Sequence, residues 1–63
     1  MNETMHAPLD VSGEELEVLA ELLESERVKL LIEIRHTDHR SYRAQLRERL
    51  AIVERLEERA KEA

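Results

Sequence analysis

Apolar residues recur along this chain mainly at steps of three and four, in two stretches either side of a polar interval around residues 35–41. At about 100° per residue, Leu16, Leu19, Ala20, Leu23, Leu30, Leu31 and Ile34 fall on one stripe, interrupted by Arg27. Tyr42, Leu46, Leu50, Val53, Leu56 and Ala60 share a second stripe, widened by Ile52 and interrupted by Arg49. Neither stretch alternates with period two, so both are predicted helices.

The first helix has a complete start signal in Val11-Ser12-Gly13-Glu14-Glu15-Leu16. Ser12 is placed to accept from the Glu15 amide while the Glu15 carboxylate reaches back to the Ser12 amide. Val11 and Leu16 occupy the two positions of a hydrophobic staple. Acids at Glu14, Glu15 and Glu17 suit the positive end of the helix dipole.

No Gly or Pro separates the two stretches, so the phase of the stripes decides whether they form one helix. Carried through an unbroken helix, the second stripe would lie roughly 90° away from the first. A turn at His36-Thr37-Asp38 realigns them, with Thr37 or Asp38 as the cap of the second helix. The expected fold is therefore all-α, an antiparallel two-helix hairpin with helices at about 12–36 and 38–61. Residues 11–63 form that domain, and residues 1–10, with Pro8 and no apolar period, form a mobile tail.

One hairpin leaves apolar surface wet. Val18, Leu22, Val28 and Ile32 lie off the main stripe of the first helix, on flanks that a single neighbour does not cover. Two hairpins supply the missing partners, and a homodimeric four-helix bundle with coiled-coil-like packing is the expected assembly. Its core and dimer residues are expected to be Leu16, Leu19, Leu22, Leu23, Val28, Leu30, Leu31, Ile34, Tyr42, Leu46, Leu50, Val53 and Leu56.

Composition narrows the function. The 63 residues hold no Cys, Phe or Trp, one Gly, one Pro and a single aromatic, Tyr42. A disulfide scaffold, a thiolate zinc site, a cysteine nucleophile and a multi-strand β domain are excluded. No apolar run approaches the roughly 20 residues of a membrane span and no signal-peptide pattern opens the chain. A soluble cytoplasmic protein without a membrane partner is expected.

Charge is segregated along the chain. Residues 1–26 carry eight acids (Glu3, Asp10, Glu14, Glu15, Glu17, Glu21, Glu24, Glu26) and no Lys or Arg. Residues 27–49 carry seven bases (Arg27, Lys29, Arg35, Arg40, Arg43, Arg47, Arg49) against Glu33, Asp38 and Glu48. A hairpin then has an acidic open end and a basic turn end, and two copies side by side prefer an antiparallel, head-to-tail arrangement.

The densest polar constellation runs from Glu33 to Arg43. Glu33 and His36 have the i,i+3 spacing of a di-metal bundle, but they sit at a helix end, where a solvated turn with caps and ion pairs is the simpler reading. His39 falls in phase with Leu46 and Leu50 and reads as a packed, hydrogen-bonded residue. Arg27 and Arg49 interrupt apolar stripes, so each should pair or snorkel; Glu24 or Glu26 is placed to answer Arg49. Glu57 with Lys61 reads as surface ion-pair support. Arg35, Arg40, Arg43 and Arg47 are the candidate contacts to RNA or DNA. A net charge of −5 and one core-facing aromatic weigh against that use. No glycine-rich phosphate cradle and no nucleophile with an adjacent base is present, so catalysis and cofactor binding are not expected.

The run Glu21-Leu22-Leu23-Glu24, then Glu33-Ile34-Arg35-His36-Thr37-Asp38-His39-Arg40, then Tyr42-Arg43 with Leu46 and Arg49, resembles a group of short bacterial helical-hairpin proteins with a His-Thr-Asp turn and unknown function. The resemblance spans about residues 14–58 and implies a bacterial helical hairpin; it assigns no activity. In size and plan alone the chain is also similar to plasmid copy-number RNA-binding hairpins. The sequence reads as a non-enzymatic, dimerising module, structural or protein-binding, with a second copy or another protein as partner. The alternatives are an RNA- or DNA-binding dimer and a metal-binding bundle through Glu33 and His36.

Overall fold

The computed structural model describes residues 10–62. Two helices account for it, α1 (Gly13–His36) and α2 (Arg40–Glu62), and they pack against each other. Among the described residues there is no strand. The expected tail lies outside the described residues except for Asp10, which is exposed and not helical.

The start of α1 follows its local chemistry. Ser12 Oγ accepts from the Glu15 amide at 3.1 Å, and Glu15 Oε1 accepts from the Ser12 amide at 2.9 Å. The Ser12 carbonyl takes the first helical bond, from Leu16 N at 2.9 Å. Two otherwise unpaired amides are thus satisfied reciprocally. Arg35 and His36 stand in the last turn, where positive charge suits the carbonyl end.

The corner differs from the expected cap. Thr37 ends α1 in an extended conformation (φ −90°, ψ 141°), donating its amide to the Glu33 carbonyl at 3.0 Å. Its hydroxyl accepts from the His39 amide at 3.3 Å. The first helical bond of α2 runs from the Arg43 amide to the His39 carbonyl at 2.9 Å, so His39, and neither Thr37 nor Asp38, stands at the cap position. Three residues, Thr37, Asp38 and His39, make the reversal, and α2 starts two residues beyond the expected boundary.

The interior of the single chain is narrow. Leu30, Leu46 and Val53 are buried, with Leu23, Ile34 and Leu50 packed around them. All six belong to the expected stripes, and no polar residue is buried among the described ones. The rest of the stripes is wet. Leu31, Leu56 and Tyr42 are 40%, 40% and 44% exposed, so Tyr42 is not the core-facing residue expected above. Leu31 stands about 100° round from Leu30, beyond the line that one partner helix covers, and Tyr42 lies in the first turn of α2, where α1 is ending. The body is only 13 Å across its thinnest dimension, close to the diameter of a single helix. One layer of two helices has no second layer to close its core.

Candidate functional site

Three features of this layer carry chemistry: an ion-pair lattice across the hairpin, an apolar groove beside it, and the polar corner. Arg49 Nε donates to Glu26 Oε2 at 2.7 Å, joining α2 to α1 as the sequence pattern anticipated. Arg27 pairs within its own helix, its Nη2 2.7 Å from Glu24 Oε2, and across the hairpin, its Nε 3.3 Å from Glu57 Oε1. Glu57 therefore serves Arg27 and not Lys61, which approaches Glu58 at 3.9 Å instead. The hydrogen bond from Arg49 holds the Glu26 carboxyl below its ordinary value, and that from Arg27 does the same for Glu24. Both arginines are held more firmly protonated by the same bonds. Each arginine that interrupts an apolar stripe is thus neutralised locally.

Beside this lattice lies a groove of about 390 Å³, open to solvent, between the helices. Leu23, Ile52, Val53 and Leu56 form its apolar part, with Gln45, Glu48 and Arg49 among its polar lining. None of the polar residues is a nucleophile, and Arg49 is committed to Glu26. The chemistry available there is apolar contact with a charged edge. Beyond the groove, Val18, Leu22, Val28 and Ile32 are 54%, 60%, 42% and 53% exposed on α1. Sequence phase places these four off the main stripe of α1, with Leu22 and Val28 expected in the core of a dimer; it does not show that a groove forms beside Ile52, because that depends on the distance between the helices.

At the corner, the expected arginine cluster divides. Arg43 turns inward and donates from Nη2 to the Thr37 carbonyl, fastening the first turn of α2 to the end of α1. Its Nε is shielded from solvent without a partner. Arg35, Arg40 and Arg47 are exposed. The four do not form one basic surface, since Arg43 is engaged in the fold. His36 Nδ1 donates to the Ile32 carbonyl at 3.0 Å, one turn back along α1. His39 is exposed and not packed in the core. Glu33 is exposed, and among the described residues no group of three or more His, Asp or Glu converges as a metal site would require. Among them too, no helix is long and apolar enough to cross a membrane.

Comparisons with protein-family models, curated proteins and solved structures give no match to this chain.

Proposed function

We propose that this chain is a non-enzymatic self-associating module whose hairpins pair over the groove into a homodimeric four-helix bundle. The observation that carries the reading is the groove side of the hairpin, where Leu22, Ile52 and Leu56 remain 60%, 49% and 40% exposed beside a lattice of satisfied charges. Apolar side chains grouped on one side of a thin helical layer are stabilised by a second layer, and an identical hairpin provides a self-complementary one. The segregated charges favour the head-to-tail orientation, basic corner beside acidic helix start. The role is structural or that of a protein-interaction unit in the cytoplasm.

Sedimentation equilibrium at micromolar concentration tests it. The wild-type chain should give a mass of about 15 kDa or more, at least twice its 7.4 kDa. A helical monomer at that concentration sinks the reading. The double variant Ile52→Glu, Leu56→Glu should lower the average mass at equal concentration. Equal masses would show that the groove is not the interface.

A further inference from the structure

The Glu26–Arg49 bond marks which flank of each helix borders the groove. At about 100° per residue, Leu31 stands on the opposite flank of α1, and Arg40 and Arg47 stand on the flank of α2 opposite Ile52 and Leu56. Val28, Leu31, Ile32 and Arg35 follow the i, i+3, i+4, i+7 spacing of a single helix face, the outer face of the turn half of α1. Val28, Leu31 and Ile32 are 42%, 40% and 53% exposed, and Arg35, Arg40 and Arg47 are exposed beside them. A dimer closed over the groove leaves this face free. Its charge is graded along α1. Glu17, Glu21 and Glu24 continue the same face toward the acidic helix start, while the three arginines border the apolar residues at the turn end.

We infer that this face docks a short acidic amphipathic helix of a different protein, its apolar stripe on Val28, Leu31 and Ile32 and its carboxylates against Arg35, Arg40 and Arg47. The contact goes beyond the self-association proposed above and does not depend on it. Apolar side chains at steps of three and four are what an amphipathic helix reads. Charge selects the kind of helix. Arg27, Arg43 and Arg49 are engaged within the hairpin, whereas Arg35, Arg40 and Arg47 form no ion pair among the described residues. Three partly exposed aliphatic side chains fall well short of the roughly 1,200 Å² that a stable pair of proteins buries. The face therefore suits a transient peptide contact steered by charge, and not a second copy. A flat anionic bilayer would also meet Glu17, Glu21 and Glu24, and repulsion there opposes it. A nucleic-acid strand finds nothing to stack on, because the single aromatic, Tyr42, falls toward the groove flank.

The probe is a fluorescein-labelled two-heptad peptide with leucine at steps of three and four and glutamate on both flanks. The same peptide with lysine for glutamate is its control. Fluorescence anisotropy with the full chain at about 0.1 M salt, where the screening length is near 10 Å, should show binding of the glutamate peptide. Ile32→Glu should weaken that binding on the order of tenfold or more. The double variant Arg40→Glu, Arg47→Glu should weaken it similarly and transfer binding to the lysine peptide, a gain that unfolding cannot produce. A chain carrying Ile52→Glu and Leu56→Glu should bind the glutamate peptide as wild type does, which separates this face from the groove and its failure from that of the dimer. No binding at about 100 μM peptide, equal binding of both peptides by the wild-type chain, or loss of binding in the Ile52, Leu56 variant overturns the assignment. Tighter binding of single-stranded RNA or of phosphatidylglycerol vesicles, lost in the Arg40, Arg47 variant, overturns the peptide as the occupant.

Discussion

Glu26 and Arg49, twenty-three residues apart in the chain, meet at 2.7 Å across the hairpin, carboxylate to guanidinium Nε. The pair stands beside the groove formed by Leu23, Ile52, Val53 and Leu56, so a charge that breaks the apolar stripe of α2 is answered before any partner arrives. Its consequence is a directional dependence of stability on pH.

The Glu26 carboxyl lies below its ordinary 4.5 because Arg49 donates to its charged form, and Glu24 lies below the same value because of Arg27. A carboxyl whose folded value is depressed binds fewer protons folded than unfolded. Its contribution is present above about pH 4.5 and is lost as pH falls through the lower folded value. Urea midpoints at fixed protein concentration should therefore hold from neutral pH to about pH 5 and decline below it. Glu26→Gln should flatten part of that decline. An acid limb identical to wild type in Glu26→Gln would remove the pair from the linkage.

Leu30 is only 2% exposed and is the most buried side chain of the small core. Leu30→Ala should cost about 2–5 kcal/mol, because the lost transfer energy is joined by the cavity it leaves. Glu58 is exposed, and Glu58→Ala should stay within about 0.5 kcal/mol. Denaturant titration of both variants checks the assignment of the core, and equal effects would contradict it.

Much of this layout was legible in the sequence, for reasons that differ by residue. The Ser12–Glu15 capping box forms because both partners are fixed by a three-residue spacing, with no tertiary requirement. The pairing of Leu30 with Leu46 and Val53 follows from stripe phase. The start of α2 was less legible, because Thr37, Asp38 and His39 offer similar caps and the choice rests on how two rigid helices meet. Tyr42 and Arg43 exchanged their expected surroundings for a related reason. At the end of α1 the neighbouring helix is running out, so an aromatic in phase with the core stays 44% exposed. The adjacent arginine finds the free Thr37 carbonyl. Glu57 likewise had a local partner in Lys61, and the cross-helix Arg27 won.

Arg43 should be the structural residue of the corner. Its guanidinium holds the Thr37 carbonyl, while the Thr37 hydroxyl contributes only the 3.3 Å acceptor for the His39 amide. Arg43→Ala should cost roughly 1.5–3 kcal/mol, in the range of a hydrogen bond to a charged group. The double change Thr37→Ala, Asp38→Ala should cost about 0.5–1.5 kcal/mol, in the range of a neutral bond. Urea denaturation at one protein concentration compares them. A larger effect of the double change would return the corner's stability to the Thr-Asp pair.

Nucleic-acid binding by the corner is open to a decisive test once Arg43 is set aside as part of the fold. Arg35, Arg40 and Arg47 are exposed, and the chain around them carries a net charge of −5. About three phosphate contacts per chain give a salt slope of about −2 on a logarithmic plot for a single strand, too shallow an electrostatic gain to persist against repulsion from the acidic half of α1. An electrophoretic shift with single-stranded RNA should therefore be absent at about 0.15 M salt, where the screening length is near 8 Å. Any shift in low salt should vanish in Arg40→Ala, Arg47→Ala, two exposed positions whose loss leaves the corner intact. Arg43 variants are unsuitable for this purpose, since unfolding and loss of contact would look alike. A shift that survives physiological salt and is abolished by the Arg40, Arg47 change would make the corner a nucleic-acid site, with the self-associated hairpin as its scaffold.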